Sequence, residues 1–517
     1  MKLLSASESR ELDRLSREKY GIESYALMTR AGESVASSAA RHWPDAIRNG
    51  VLVLAGKGNN GGDGFVAGRR LIQDGANVSA LLLGRTGELK GDAKRAHDDF
   101  TAAGGAVIEA ESESGLADAI GRGAVIVDAI FGTGLNAEVA GLPRRAIELV
   151  NQAGTSVIAV DIASGVNSDA GAVMGVAVRA DVSVTFGFAK FGHMSYPGAG
   201  LCGALEIADI GFAPGAVGDL DARGLYVEAE DIRALLKPRP MNSHKGMYGH
   251  PLIIAASRGK SGAALLTSRA ALRTGAGLAT AAIPESAAAI VASGQAELMT
   301  EPMPDLNGHF EARATIERLG ALTGGNNVII TGPGIGVSRD TRELIEWLVE
   351  TACELGRPLI IDADGLNVLA QIGPDFLRRS KGPIILTPHP GEMGRLLGCS
   401  AAKVNADRIS SARRLAELTG ANVLLKGNRS VMANPPGEIA INSSGNPGMS
   451  TPGMGDALSG IIGALAGQGL APFDALKLGV FVHGYAADRV ASQFAPVGYL
   501  TGDMIEEIPR ALSALLA

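Results

Sequence analysis

The sequence predicts an α/β protein of two domains, each built on a mostly parallel sheet. Short apolar runs alternate with helical stretches along the whole chain, and most runs are continuously apolar, as strands covered on both faces are. The chain has 70 glycines among 517 residues, about twice the usual share of ~7%. They cluster where the apolar runs end, which is where α/β proteins place ligand-binding loops.

Two helices are predicted before the first strand. Ser5 and Glu8 have the spacing of a capping box, and Gly21 suits a left-handed residue at the end of that helix. A second helix is predicted over Ala26–Arg41. Both helices are predicted to be packing elements, although they could also frame a pocket.

The strands are predicted from the apolar runs, which are spaced widely enough to leave room for helical crossovers. In the first half they are Val51–Ala55, Val78–Leu83, Ala124–Ala129, Val157–Asp161 and Val182–Gly187. In the second half they are Pro251–Ala256, Val328–Gly332, Leu359–Asp362, Ile384–Thr387 and Asn422–Lys426.

The composition changes between the two halves. A stretch rich in Gly, Ala and Asp follows Pro214, and Pro238 and Pro240 precede the second half. We therefore predict domains at 1–224 and 225–517. Because the two halves carry different loop motifs, a fusion of two unlike modules is expected rather than a duplication.

Charge and cysteine content restrict the class of protein. With 47 Lys+Arg and 54 Asp+Glu, the net charge is −7. Because binding to nucleic acid or to a membrane surface needs a basic face, we expect neither as a partner. Cys202, Cys353 and Cys399 are far apart and odd in number, which indicates a reducing compartment. The first residues lack a signal-peptide pattern, and no apolar run reaches the ~18 residues of a membrane span. We expect a soluble, cytoplasmic protein.

The loop after the first strand is rich in glycine and in side-chain oxygens. Residues 56–61 match the pattern G-x-G-x-x-G, in which backbone amides approach a pyrophosphate at a helix N-terminus. No acidic residue follows the second strand to bind a ribose, which argues against an ordinary dehydrogenase. Asn59, Asn60 and Asp63 either cap the following helix or bind a ligand or a cation.

Two later strands of the first half end in an aspartate that is followed by small residues. These are Asp128 and Asp161. The carboxyl ends of strands in an open parallel sheet meet at one crevice. The three oxygen-rich loops are therefore predicted to face the same site.

These three loops resemble the motifs of the NAD(P)H-hydrate epimerase family. They read Gly-Asn-Asn-Gly-Gly-Asp-Gly from residue 58, Val-Asp-Ala-Ile-Phe-Gly-Thr-Gly from residue 127 and Val-Asp-Ile-Ala-Ser-Gly-Val from residue 160. The resemblance covers residues 1–215 and implies a Rossmann-like three-layer sandwich with Asp161 as acid/base group. It also implies a potassium ion bound by Asn60, Asp128 and Ser164. The residues implied to contact the hydrated dinucleotide are Asn59, Asn60, Gly61, Gly62, Asp63, Gly132, Thr133, Gly134, Leu135, Asn136, Ala137, Glu138 and Asp161.

In the second half, the strongest signal is a small-residue loop that leads into an apolar helix at residues 446–460. Asp456 lies in the first turn of this helix, where backbone amides would stabilise phosphate oxygens. A carboxylate there can accept the proton of a hydroxyl that attacks a phosphoryl group, or it can simply complement the helix dipole. Lys426 and Gly427 add a cation and a glycine at another strand end, which suits nucleotide phosphates.

This half resembles the ADP-dependent NAD(P)H-hydrate dehydratase branch of the ribokinase-like superfamily, over nearly all of 225–517. Its motifs are His244-Lys245-Gly246, Gly332-Pro333-Gly334-Ile335-Gly336, Thr387-Pro388-His389-Pro390-Gly391-Glu392, Lys426-Gly427-Asn428 and Gly453-Met454-Gly455-Asp456. The resemblance implies a ribokinase-like α/β domain with a mostly parallel sheet. The residues implied to contact the hydrated nicotinamide nucleotide are Ala264, Gly334, His389 and Asp456. Those implied to contact ADP are Lys426, Gly427, Asn428, Arg429, Ser430 and Gly455.

Together the two resemblances imply a bifunctional repair enzyme, both isomerase and lyase. The first domain would interconvert the R and S hydrates of NAD(P)H. The second would dehydrate the S form at the expense of ADP, giving AMP and phosphate, with Asp456 as base and Mg²⁺ bridging the phosphates. By analogy with the family, a homo-oligomer is expected.

Two alternatives stay open at this point. One is a small-molecule kinase of the hydroxymethylpyrimidine or sugar type with a non-catalytic nucleotide-binding N-terminal domain. The other is a first half that binds nucleotides or partners without catalysis. The presence of Asp63, Asp128 and Asp161 argues against the second alternative.

Overall fold

The structure, a computed structural model, describes residues 1–110, 112–113, 115–380 and 382–517, with the backbone alone at residue 323. It divides into two units: residues 2–224, and residues 225–517 together with Met1. Within the described ranges, no helix is long and apolar enough to cross a membrane.

The sheet of the first unit is parallel throughout the described strands. Their spatial order is Ala106–Glu109, Val78–Leu82, Val51–Ala55, Val125–Ala129, Ser156–Val160, Val182–Phe186 and Ala204–Ala208. The chain moves outward in one direction from Val51–Ala55 and then returns to continue in the other direction from Val125–Ala129. This reversal opens a crevice at the carboxyl ends of the two central strands, where ligands of open α/β sheets bind.

Helices cover both faces of this sheet. On one face Val53 packs with Phe65 and Phe100, and on the other Leu54 packs with Ile147. The helices of the first face are Ser24–His42, Asn59–Gln73 and Gly91–Ala102, and those of the second are Leu116–Ile120 and Gly141–Ala153. The predicted three-layer sandwich is confirmed. Further helices are Ala6–Glu18, Ala46–Asn49, Phe191–Met194 and Pro214–Asp219.

The opening helix begins where the sequence predicts. Ser5 is the N-cap of Ala6–Glu18, its Oγ accepts from the amide of Glu8 at 3.2 Å, and its own amide donates to Glu8 Oε2 at 2.7 Å. Gly21 has a φ of 70°, the left-handed conformation expected after the helix. The two-way capping fixes the helix start, and with it the face that the helix presents to the crevice.

The second unit carries a mixed sheet. Its parallel strands lie in the order Met299–Met303, Thr280–Pro284, Pro251–Ile254, Val328–Thr331, Leu359–Ile361, Ile384–Leu386 and Asn422–Leu425, followed by the antiparallel strands Val431–Ala433 and Ile439–Asn442. The predicted α/β class with a mostly parallel sheet is confirmed. Four of the strands that sequence analysis did not name have a weak apolar signal: Thr280–Pro284 is rich in alanine, and Ala106–Glu109, Ala204–Ala208 and Met299–Met303 are largely half exposed or exposed.

A helix that is buried beyond its first turn, Met454–Gly467, lies at the centre of the second unit. Every residue from 457 to 467 is buried, and the helix packs against the helices Ser261–Arg273 and Pro472–Gln493 and the strand Val328–Thr331. The remaining helices are Ala229–Arg233, Glu285–Gly294, Ala312–Leu322, Arg339–Glu354, Asp364–Ile372, Pro390–Leu397, Ala401–Ala406, Arg408–Thr419 and Thr501–Leu516.

Gly460 allows the close approach of this central helix to its neighbour. A Cβ at Gly460 would lie 2.1 Å from the carbonyl oxygen of Thr267. Gly460→Ala is therefore expected to lower the free energy of unfolding by about 1–3 kcal/mol, because the two backbones must separate. Chemical unfolding monitored by circular dichroism measures this loss. Gly502→Ala is the control, because a Cβ there meets nothing within 4 Å; equal losses in both variants would contradict the account.

Candidate active sites

A cavity of about 510 Å³ lies at the carboxyl ends of the first unit's strands. The predicted residues Asn59, Asp63, Thr133 and Asp161 all line it, and Asp13 of the opening helix closes one side. The structure therefore brings the three predicted loops to one site. The opening helix frames a pocket, the second of the two roles that the sequence allows.

Asp161 is held by a buried lysine. The backbone of Asp161 has a φ of 64°, a left-handed conformation that an aspartate adopts only at a cost. Its Oδ1 accepts from Lys190 Nζ at 2.6 Å and from Thr185 Oγ1 at 2.8 Å. Burial alone would raise the pKa of Asp161, but the charge and hydrogen bond of Lys190 outweigh burial and hold that pKa below its usual value. Asp161 is therefore ionised at neutral pH.

His193 contacts the backbone of Asp161. Its Nδ1 accepts from the Lys190 amide at 2.9 Å, so the proton is on Nε2, which lies 2.9 Å from the Asp161 carbonyl oxygen. Burial and the Lys190 charge lower the pKa of His193 to about 4. The ring is therefore neutral and fixes the backbone of Asp161.

Two further carboxyl groups share the cavity. Burial, followed by the charges of Asp161 and Asp13, raises the pKa of Asp63 well above its usual value. Desolvation inside the cavity mouth raises the pKa of Asp13 to about 6, against the attraction of Lys190. Carboxyl groups whose pKa values are pushed apart can serve as acid and base in one site. Here Asp161 suits the base and Asp63 suits the acid.

Of the predicted potassium ligands, Asp128 and Ser164 are in direct contact, and Asn60 lies beside the loop that follows Asp128. Asp128 Oδ2 accepts from the Ser164 amide at 2.8 Å, and Ser164 Oγ contacts the amide and the carbonyl of Phe131 at 2.9 and 3.2 Å. A Cβ on Gly132 would lie 2.9 Å from Asn60 Oδ1, which places Asn60 beside the same loop. Burial raises the pKa of Asp128 to about 6, and among the described residues no basic side chain pairs with it.

The other predicted epimerase residues fall into two groups. Gly61 and Gly62 are buried in the first turn of Asn59–Gln73, so they act through backbone packing rather than through an exposed surface. The loop 132–138 is largely solvent-accessible, with Gly134, Asn136, Ala137 and Glu138 exposed and Leu135 half-buried. The loop can therefore contact a ligand that enters the crevice.

In the second unit, Lys426 lies at the centre of the candidate site. Lys426 Nζ donates to Asp362 Oδ1 at 2.7 Å, and Ser459 Oγ donates to Asp362 Oδ2 at 2.8 Å. A Cβ at Gly455 would lie 3.3 Å from Lys426 Nζ, so the ammonium reaches the start of the central helix. Burial opposes the charge on Lys426, but Asp362 and Glu392 raise its pKa above the usual value. The lysine stays charged beside a helix N-terminus, which suits phosphate.

Asp456 lies in the first turn of the central helix. Burial and the nearby charge of Asp362 raise its pKa to about 6, against the opposing charge of Lys426. The charge of Asp364 raises the pKa of Asp456 further and the charge of Lys260 lowers it. Lys260 Nζ and Asp364 Oδ2 form an ion pair at 2.9 Å. A carboxylate with this pKa is ionised at neutral pH and still accepts a proton readily.

The predicted ADP-binding residues line one pocket of about 460 Å³. The pocket is lined by Lys426, Gly427, Asn428, Arg429, Ser430 and Gly455. Apolar side chains of Met449, Leu458 and Val480 form another part of its wall. A cationic end beside an apolar wall fits the phosphates and the base of a nucleotide.

The residues of the second unit that were predicted to contact the hydrated nicotinamide nucleotide are not all equally accessible. The carbonyl oxygen of Gly334 accepts from Ser257 Oγ at 2.7 Å, and a Cβ at Gly334 would meet Lys260. His389 caps the helix Pro390–Leu397, with Nδ1 accepting from the Gly391 amide at 2.9 Å, and its side chain is half exposed. Ala264, in contrast, has no exposed surface in the core, so the structure does not place its side chain at a cavity wall.

Relatives of known name match the whole chain. The bifunctional NAD(P)H-hydrate repair enzyme Nnr of Moorella thermoacetica is 40% identical over 519 residues, covering 100% of this chain and 97% of the relative. The chain belongs to the bifunctional NAD(P)H-hydrate repair enzyme family. The Nnr enzyme of Escherichia coli is 35% identical, covering 98% of this chain and 93% of the relative.

Each half of this repair-enzyme family member also matches a domain family. Residues 24–192 match the YjeF-related protein N-terminus, and residues 251–510 match NAD(P)H-hydrate dehydratase. A crystal structure of ADP/ATP-dependent NAD(P)H-hydrate dehydratase from Bacillus subtilis, co-crystallised with ATP and Mg²⁺, is 26% identical with a TM-score of 0.49, covering 56% of this chain and 98% of that chain.

Sequence analysis missed several residues of the repair enzyme's candidate sites. Lys190 and His193 follow an ordinary Gly-Phe-Ala stretch, and no local pattern marks them as partners of Asp161. Asp13 lies in a helix that was predicted to pack. Asp362 ends the predicted strand Leu359–Asp362, as Asp161 ends Val157–Asp161, but sequence analysis gave it no role in the site.

Proposed function

We propose that residues 1–224 epimerise the hydrates of NAD(P)H and that residues 225–517 dehydrate the S form at the expense of ADP, giving AMP and phosphate. The observation that carries this proposal is the presence of two separate acid/base sites, Asp161 beside Lys190 and Asp456 beside Lys426. The full-length match to repair enzymes supports this function over that of a small-molecule kinase.

For epimerisation, the hydrated carbon must lose its configuration, either because the hydroxyl leaves or because the ring opens. Both routes move a proton onto and off the reacting atoms. Asp161, ionised by Lys190, would take a proton, and Asp63, whose pKa is raised, would supply one. Lys190 and His193 would act by holding Asp161 in place.

For dehydration, Asp456 would accept the proton of the substrate hydroxyl as the oxygen of that hydroxyl attacks the β-phosphorus of ADP. The new oxygen–phosphorus bond forms while the bond to the bridging oxygen breaks, which releases AMP. Phosphate then leaves the carbon, and loss of a neighbouring ring proton restores the double bond. The amides at the start of Met454–Gly467 and Lys426 would bind the phosphates during transfer.

The donor set of the second site fits magnesium held through phosphate. The described residues contain no group of three or more His, Cys, Asp or Glu that could hold a metal by themselves. Magnesium in phosphoryl-transfer sites needs only one or two carboxylates together with substrate phosphates. Glu392, whose pKa burial raises to about 7 near Lys426 and Asp362, would be the protein ligand. When bound, magnesium would neutralise charge on the phosphates.

The first site fits potassium. Asp128 is a buried carboxylate without a basic partner in the described part of the chain. It accepts from the Ser164 amide, Ser164 Oγ contacts the Phe131 carbonyl, and Asn60 Oδ1 lies beside Gly132 of the loop that follows. Hard oxygen donors around one negative charge suit an alkali cation. When bound, the cation would balance the charge of Asp128 and fix the loop 132–138 beside the cavity.

Epimerase activity is therefore expected to require potassium. Replacing K⁺ by choline should slow epimerisation, and Ser164→Ala should raise the half-saturating K⁺ concentration about tenfold or more. Ser183→Ala is the control, because Ser183 is a buried serine of the same sheet that donates to the Cys202 carbonyl. Chromatography of the two epimers over time gives the rate. Equal rates in K⁺ and choline would contradict the assignment.

The dehydratase is expected to lose activity below pH about 6. Asp456 must be ionised to accept a proton, and its pKa is about 6. On the acid side, kcat/KM for the hydrated nucleotide at saturating ADP should fall about tenfold per pH unit. A profile that stays flat down to pH about 4.5 would show that a group with the pKa of Asp456 is not the base.

The function is tested by incubating the purified chain with a mixture of R and S NADH hydrates. With ADP, the absorbance of NADH should return completely, because the R form is converted as the S form is consumed. Without ADP the two epimers should equilibrate and no NADH should appear. Recovery of only the S fraction would remove the epimerase assignment, and no recovery would remove the dehydratase assignment.

A further inference from the structure

One wall of the proposed ADP pocket carries a buried polar atom that lacks a partner. His483 lies on Pro472–Gln493, is 6% exposed and lines the pocket together with Val480, Leu458 and Met449. Its Nε2 makes no hydrogen bond. Among the described side chains that line this pocket, it is the one buried polar atom in that condition. Such an atom costs stability unless something outside the protein satisfies it.

The surroundings of the ring determine which nitrogen carries the proton. The backbone of Met454 lies on the other side of the ring and favours a protonated ring nitrogen. Burial and the charge of Lys426 nevertheless lower the pKa of His483 to about 4, so the ring is neutral. Because Nε2 has no partner, we assign the interaction with Met454 and the single ring proton to Nδ1, which leaves Nε2 with a free lone pair. It is an acceptor that needs a donor.

The helix that carries His483 is pressed against the pocket loop. A Cβ at Gly484 would lie 2.3 Å from Ser444 Oγ, and Ser444 Oγ itself donates to the Phe481 carbonyl at 2.8 Å. This contact fixes the helix against the loop that lines the pocket. The ring of His483 is therefore positioned before any ligand binds.

We propose that His483 Nε2 accepts a hydrogen bond from the nucleoside half of ADP and thereby contributes to the choice of nucleotide. The inference rests on the proposed dehydratase function. The phosphates are excluded as partners because their oxygens are acceptors and carry negative charge. The donors that ADP offers are the ribose hydroxyls and the exocyclic amine of the base. Either donor meets the same chemical requirement, and nucleotide analogues distinguish them.

The test is a double-mutant cycle between the protein and the nucleotide. Binding of ADP, 2′-deoxy-ADP, 3′-deoxy-ADP and inosine diphosphate is measured by calorimetry for the full wild-type chain and for His483→Asn. Asparagine keeps a donor near the Nδ1 position and loses the acceptor at Nε2. We expect His483→Asn to bind ADP about tenfold more weakly than the wild type does, and the wild type to bind one analogue about tenfold more weakly than ADP. The variant should bind that analogue and ADP equally. His483→Gln, which returns an oxygen near Nε2, should restore the difference.

Controls separate this inference from the function on which it rests. Tyr485→Phe, on the same helix but not lining the pocket, should bind all four nucleotides as the wild type does. Chemical unfolding of each variant, monitored by circular dichroism, reports whether the unit that carries His483 is folded, because the epimerase site lies in the other unit. If the wild type binds ADP but no analogue couples to His483, the inference is overturned while the dehydratase function stands. If the wild type does not bind ADP, the proposed function itself fails, and the inference fails with it.

Discussion

Asp456→Asn is expected to lower dehydratase kcat by about 10²–10⁴-fold while ADP binding persists. The amide keeps the size of the side chain in the first turn of Met454–Gly467 but cannot accept the hydroxyl proton. Lys426 and the helix amides remain, so the nucleotide should still bind. Recovery of NADH absorbance measures kcat, and calorimetry measures the affinity for ADP.

The matched control for this change is Asp474→Asn. Asp474 is also in the first turn of a helix, Pro472–Gln493, and is paired with Lys477 at 2.8 Å on the surface. It should retain full dehydratase activity, because the dipole contribution of one surface carboxylate is small. Epimerase activity should be unchanged in both variants. If Asp456→Asn had the dehydratase kcat of the wild type, Asp456 would not be the general base.

Lys190→Met is expected to be the most destabilising change at the first site. Lys190 is 3% exposed, and its removal leaves Asp161 as a buried carboxylate without its counter-charge. Breaking such a pair costs about 3–5 kcal/mol of unfolding free energy. The pKa of Asp161 should rise, because the charge that holds it below the usual value is gone. The acid limb of the epimerase pH profile should therefore move to higher pH.

The rise in the pKa of Asp161 that is expected in Lys190→Met should change the stability of the protein as well as its rate. A carboxylate whose folded-state pKa is lowered contributes stability above its unfolded pKa and loses it as pH falls through the folded value. The ionised Asp161 should thus contribute to the free energy of unfolding of the wild type at neutral pH. In Lys190→Met the folded-state pKa of Asp161 is raised instead, so the free energy of unfolding should fall as pH rises. The double variant Asp161→Asn/Lys190→Met should recover stability but not epimerase activity. Lys19→Met, at an exposed pair with Asp219, should cost less than about 1 kcal/mol. An unshifted pH profile in Lys190→Met would contradict the pairing.

Strand ends were the part of the site that the sequence could predict. Asp128 and Asp161 each follow a continuous apolar run, and the topology of a parallel sheet places such positions at one edge. The central helix was predictable for a similar reason, since Asp456 stands between a glycine-rich loop and an apolar run. Both inferences use local pattern together with a rule about sheets.

Partners that arrive from elsewhere in the chain could not be predicted in that way. Lys190 reaches Asp161 across 29 positions, and Lys426 reaches Asp362 across 64. A lone lysine between apolar residues carries no signal of burial, because lysine is usually exposed. The alanine-rich strand Thr280–Pro284 was missed for a different reason, since alanine is a strong helix former and is depleted in strands, so a short run that contains it carries little strand signal.

The balance of products from hydrated NADH and ADP tests the central claim most directly. The repair mechanism predicts one AMP and one free phosphate for each NADH recovered, and no phosphorylated nicotinamide nucleotide at the end of the reaction. A phosphorylated hydrate that accumulates without phosphate release would instead identify a kinase and contradict the account.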